Sequence, residues 1–138
     1  MTPYTLIDHT ADIGIHITGK ELKDLFTTAA EAMFDQIIDR SRLLGRRKKN
    51  LLISGMDRHD LLINWLRELL EIWTIDGGLV RTALITEMDE THIHATAAWD
   101  AYDPEIHEIL KDIKAVTYSG VSVEPIPEGW QATVIFDV

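Results

Sequence analysis

The chain has 138 residues, 46% of them hydrophobic and 26% charged, with a formal net charge of −10 and no cysteine. That length suits one domain with its own core, and the absence of cysteine excludes disulfides, thiolate metal ligands and thiol redox chemistry. The acidic balance argues against a dedicated nucleic-acid binder, which needs excess Lys and Arg to neutralise phosphates.

The start, Met1-Thr2-Pro3-Tyr4-Thr5-Leu6, lacks the basic and apolar regions of a signal peptide. No apolar run approaches the ~20 residues that span a bilayer, so a cytoplasmic protein with no membrane contact is expected. Ile13, Ile15 and Ile17 alternate with Gly14, His16 and Thr18, the period of a strand with one buried face. Thr18 to Glu21 fits a capping box, in which the Thr18 hydroxyl and the Glu21 carboxylate cover free amides at a helix start. Leu22, Leu25, Phe26, Ala29, Met33 and Ile37 follow at helical spacing.

Asn50 to Ser54 is short, apolar and strand-like. Asp57 is placed to cap a second helix, whose wide stripe runs through Leu61, Leu62, Trp65, Leu66, Leu69, Leu70 and Trp73, and Asp76-Gly77-Gly78 ends it. Leu79 to Met88 and His92 to Trp99 flank the turn Asp89-Glu90-Thr91. After a loop at Asp103-Pro104, Val116 to Glu124 and Trp130 to Asp137 flank a turn spanning Pro125 to Gly129. This order predicts a single α+β domain over residues 1–138, with two amphipathic helices packed on a largely antiparallel sheet in two layers.

Charge is distributed unevenly. Arg40, Arg42, Arg46, Arg47, Lys48 and Lys49 make up six of the 13 basic residues, with no acid between them. The stretch reads either as a solvated loop entering an edge strand or as a surface for RNA or an acidic partner.

At the first alternating strand, Asp12 shares a side with Gly14 and His16. At the chain end, Asp137 shares a side with Ile135 and Thr133, opposite Ala132, Val134 and Phe136, and Val138 adds the terminal carboxylate. If these strands are neighbours, three carboxylates converge, an arrangement that repels itself unless a hard cation such as Ca²⁺ or Mg²⁺ is shared. The alternative is that strand-end aspartates cap turns or face water. His92 and His94 share one strand face, either as a zinc pair or as ordinary polar surface. Lys114, inside Ile113 to Tyr118, either snorkels from a strand edge or serves a site. Asp8, His9 and Asp12 contain the groups for metal-assisted hydrolysis. No phosphate-binding glycine loop, nucleophile elbow or H-E-x-x-H helix accompanies them.

Several segments together resemble the archease family: Asp8-His9-Thr10-Ala11-Asp12-Ile13-Gly14, the helix pattern Leu25-Phe26 with Ala29-Ala30 and Met33-Phe34, Asp57 with Leu61-Leu62 and Trp65 to Leu70, Tyr102-Asp103 with His107, Ile113 to Tyr118, and Phe136-Asp137-Val138. The resemblance implies an accessory protein, not itself an enzyme, that activates the RtcB-type RNA ligase of tRNA splicing and RNA repair. It would promote the ligase's guanylylation and repeated turnover. It also implies metal ligation by Asp12, Asp137 and Val138, with Ca²⁺ as the expected ion and Mg²⁺ or Mn²⁺ as alternatives, and a ligase-activating surface at Asp8, His9 and Lys114. Trp99 and Asp100 depart from the family's Gly-Glu pair, and Ser119 stands where many relatives have His. The rival expectation is a general chaperone or RNA-binding module acting through Arg40 to Lys49, with RNA contact through Arg46, Arg47, Lys48 and Lys49.

Overall fold

A computed structural model describes residues 3–8 and 12–138, with only the backbone of Asp8. The described residues form seven strands and two α-helices: β1 (Tyr4–Asp8), β2 (Asp12–Gly19), α1 (Leu22–Ile37), β3 (Arg47–Ser54), α2 (Arg58–Thr74), β4 (Gly78–Met88), β5 (His92–Ala101), β6 (Ala115–Ile126) and β7 (Gly129–Asp137), with a short 3₁₀ turn at Arg40–Arg42. No helix among them is long and apolar enough to cross a membrane.

The helices follow from their apolar stripes. In α1, Leu25, Phe26, Ala29, Ala30, Met33, Phe34 and Ile37 are buried at three- and four-residue spacing. The start differs from the sequence expectation. Thr18 stays in β2, opposite Gln131, and the cap is Glu21, whose N–H donates to the Asp24 carboxylate at 3.1 Å. Thr18 is committed to the sheet ladder, so the box moves one turn along the chain. In α2, Asp57 accepts the Asp60 N–H at 2.9 Å, as its position implied. At the far end Gly77 adopts φ +65 and donates to the Trp73 carbonyl at 3.2 Å, stopping the helix.

The class is α+β and every strand pair is antiparallel. The strands form two sheets rather than one, in the orders β1-β2-β7-β6 and β3-β5-β4. Both helices touch both sheets, α1 against β2, β7 and β4, and α2 against β6, β3, β4 and β5. One hydrophobic cluster therefore spans the molecule. Trp65 lies at its centre, fully buried, with its indole N–H donated to the Phe26 carbonyl at 2.9 Å. A buried indole N–H is costly to leave unpaired, and this bond ties α2 to α1.

β1 was not apparent from the sequence. Thr5, Leu6 and Ile7 are exposed on this edge strand, so no buried face imposes an alternating pattern. β3 begins at Arg47, so the end of the basic stretch is edge strand rather than loop. The last hairpin closes through Pro127 and Glu128 alone. Pro125 is tolerated in β6 because that strand is a sheet edge.

β2 and β7 pair in full register, Ile13 against Phe136, Ile15 against Val134 and Ile17 against Ala132 on the core face. Phe136 is fully buried. Phe136→Ala should therefore cost about 3–5 kcal/mol in urea unfolding, whereas Gln131→Ala on the other face should stay within about 0.5 kcal/mol.

Candidate functional site

The strand alternation that buries Phe136 puts its neighbour on the outer face. There the cross-strand pairs are Asp12 with Asp137, Gly14 with Ile135, and His16 with Thr133. Residues directly opposite in an antiparallel ladder carry their side chains on the same face with Cβ atoms about 5 Å apart. Asp12 is half-buried, with Oδ1 withdrawn from solvent, and Asp137 is exposed. Val138 follows Asp137 at the chain end and is 41% exposed. The sequence condition for a shared carboxylate site was that the two strands be neighbours, and they are.

The donor set is all oxygen, which fits a hard divalent cation and poorly fits a soft one. Among the described residues no group of three or more His, Asp or Glu side chains is placed to hold a metal. Val138 lies next to Asp137 in sequence at this junction.

β6 secures the junction from the other side. Ala115 pairs with Asp137, and the Lys114 N–H donates to the Asp137 carbonyl at 2.8 Å. Ile113 is fully buried while Lys114 is exposed, so the apolar neighbour anchors the segment and the lysine extends outward. Arg67 of α2 donates from Nε and Nη2 to the Val116 carbonyl at 3.3 and 3.2 Å, and its guanidinium lies 4.9 Å from the Tyr118 ring centre. The Tyr118 hydroxyl donates to Asp60, which pushes the phenol's pKa up and holds that carboxyl below its ordinary value. Two sequence segments far apart in the chain are thereby joined.

The other candidates fall elsewhere. By register Asp8 pairs with Ile13, but its side chain and all of His9 lie outside the described residues. His92 and His94 are exposed on β5. Their nearest acids are Asp89 at 3.7 Å and Glu87 at 3.9 Å, and this is ordinary polar surface. Within the basic stretch, Arg40 is withdrawn into contacts with Asp35 at 2.7 Å and the Arg81 carbonyl at 2.5 Å. Arg46, Arg47, Lys48 and Lys49 are exposed.

The chain matches the archease protein family (MTH1598/TM1083) over residues 4–138. It belongs to that family. The archease of Methanosarcina acetivorans is 35% identical over 98% of this chain and 95% of its own. That of Pyrococcus abyssi is 35% identical over 95% of each chain. The solution structure of Protein 1598 from Methanobacterium thermoautotrophicum superposes with a TM-score of 0.82 at 30% identity, covering both chains fully. A Thermotoga maritima archease, described as a possible chaperone, shares the fold with a TM-score of 0.62 at 21% identity, over 96% of this chain and 94% of that one.

In this archease-family chain, Asp100 has a structural task that its sequence position did not reveal. Its carboxylate accepts the N–H groups of Leu44 and Gly45 at 2.8 Å each and of Arg46 at 3.1 Å. Burial raises its pKa, but the three amides outweigh that and hold it below the ordinary value. A lowered folded-state pKa contributes stability that is present above the unfolded value and lost as pH falls through the folded one. Asp100→Asn should therefore cost about 1–3 kcal/mol at neutral pH. The gap from the parent should narrow in acid, once the pH drops below about 3.9, in urea unfolding followed from pH 6 downward.

Proposed function

We propose that this protein is a metal-binding accessory factor that activates an RtcB-type RNA ligase in tRNA splicing and RNA repair, and that the β2–β7 junction is its working end. The observation that carries this reading is the register pairing of Asp12 with Asp137, one residue from the C-terminal carboxylate. Membership of the archease family supports it. Like charges directly opposite one another destabilise a ladder. Keeping two aspartates there makes sense where a cation is to be held.

Asp12, Asp137 and the Val138 carboxylate would hold the ion, Ca²⁺ being preferred and Mg²⁺ or Mn²⁺ alternatives. When bound, it would neutralise the opposed carboxylates and fix the chain end against β2. Asp12 offers a half-buried carboxylate on a paired strand, a placement that limits its movement. Lys114, tied to Asp137 through its N–H, extends a positive charge beside this acidic tip. Such a tip, with Asp8 and His9 from the same region of chain, suits insertion at the mouth of a ligase active site. The protein performs no RNA chemistry in this reading. A cytoplasmic location follows from the partner.

The second reading is a general chaperone or RNA-binding module. It is favoured by β3, a sheet edge that presents Arg47, Lys48 and Lys49 to solvent, and by the chaperone description attached to the Thermotoga relative.

Two experiments separate the readings. In a guanylylation assay of the matching ligase at limiting divalent metal, Asp12→Ala or Asp137→Ala should abolish stimulation with the fold retained. Full stimulation by either variant rejects the accessory role of this site. Replacing Arg46, Arg47, Lys48 and Lys49 with neutral residues should leave stimulation unchanged. Without ligase, added Ca²⁺ should raise the melting temperature of the parent. Asp137→Asn should match or exceed the parent in a chelator and gain nothing from the ion, because it has lost the repulsion and the ligand together.

A further inference from the structure

The β3 approach, the end of β5 and the following loop enclose a cavity of about 520 Å³, remote in sequence from the β2–β7 junction and unused in the function proposed above. Its lining includes Arg42, Arg46, Arg47, Tyr102, Ile106 and His107. Among the described residues none of the three arginines forms an ion pair. The cavity also contains Asp100 and Asp103. Asp100 is occupied by three main-chain amides, and Asp103 Oδ1 accepts the Glu105 N–H at 3.0 Å. The lining thus sets three guanidinium groups against two carboxylates, and both carboxylates accept main-chain N–H groups.

The lining also has an aromatic and apolar part. Tyr102 is 37% exposed and is backed edge-on by Trp73, with ring centres 5.4 Å apart at 85°. His107 lies 6.2 Å from Tyr102 at 25°. The Asp103 N–H donates to His107 Nδ1 at 2.9 Å, which places the neutral ring's proton on Nε2 as a fixed donor. Leu44 and Ile106 stand 63% and 69% exposed at the rim.

We propose that this cleft binds a nucleoside phosphate, either free or as the end of an RNA strand. Guanidinium groups match phosphate oxygens through paired N–H bonds, and Arg42 and Arg46 supply them. A base stacks on an exposed aromatic ring whatever its identity, and Tyr102 supplies that ring. The volume falls within the range of about 300–1,000 Å³ typical of small-ligand sites. A carboxylate ligand would use the arginines but leave the aromatic wall idle.

The test uses the full chain without ligase or added metal, so its failure leaves the accessory-factor reading untouched. Adenosine monophosphate, adenosine, inorganic phosphate and a short single-stranded RNA with a 3′-phosphate are titrated by calorimetry and by amide NMR shifts. Adenosine monophosphate or the RNA should shift the amides of Leu44, Arg46, Tyr102 and His107, and should bind more tightly than inorganic phosphate or adenosine. Binding by the mononucleotide identifies free nucleotide as the ligand. Binding by the RNA with none by the mononucleotide identifies the strand end. Arg42→Ala with Arg46→Ala should weaken binding about tenfold or more. Tyr102→Ala should do the same for the mononucleotide or RNA while leaving inorganic phosphate unchanged. Lys48→Ala with Lys49→Ala should have little effect. The proposal is overturned by no binding, by equal affinity for inorganic phosphate and mononucleotide, or by lysine variants that lose as much as the arginine variants. Melting temperatures confirm that each exposed-site variant is folded.

Discussion

The antiparallel ladder between β2 and β7 is the constraint on which the rest of the structure depends. It joins residues 12–19 to residues 130–137, the longest separation in sequence that the fold bridges with a strand pair. Its core-face pairs, Ile13 with Phe136, Ile15 with Val134 and Ile17 with Ala132, are fully or nearly fully buried. A slip of one residue would expose that set and bury Asp12 or Asp137 in its place, so the hydrophobic effect itself fixes the register. The outer face inherits its geometry. The opposition of the two aspartates follows from core packing and needs no attraction between them.

Helix α2 reinforces this ladder indirectly. It packs on β6, and Arg67 and Asp60 hold the start of that strand through the Val116 carbonyl and the Tyr118 hydroxyl. β6 in turn pairs with β7 at Asp137. The helix motif around Trp65 to Leu70 and the Ile113 to Tyr118 segment are therefore two halves of one support.

Where burial imposes a period, the sequence could be read. The stripes of α1 and α2, the alternation of β2, the hairpin at Asp89 and the glycine stop at Gly77 all follow from patterns visible in the chain. The face of Asp137 was legible for the same reason, since Val134 and Phe136 define the opposite one. Where no buried face writes a pattern, the sequence was silent. β1 is exposed along Thr5, Leu6 and Ile7, and the first turns of β3 carry charged side chains into solvent. The division into two sheets was equally hidden, because alternation tells which face is buried and not which edge meets which. Asp100 illustrates a further limit. Its partners are main-chain amides about 55 residues away in sequence, and backbone donors leave no mark on the identity of the residues that carry them.

The two sets of charges occupy places the core does not need. The acidic pair lies at the outer end of the β2–β7 ladder, and the arginines line a cleft between β3 and the loop after β5. A chain of net charge −10 gains folding stability from neither, since opposed carboxylates repel and exposed arginines contribute little. Strand alternation accounts for the acidic pair, whereas Arg42 and Arg46 precede β3 and Tyr102 follows β5. Tyr102 connects the two regions through Trp73, whose indole N–H donates to Asp112 at 3.1 Å, two residues before Lys114. Trp73 thus contacts both the ring at the cleft and the short segment that leads to Asp137.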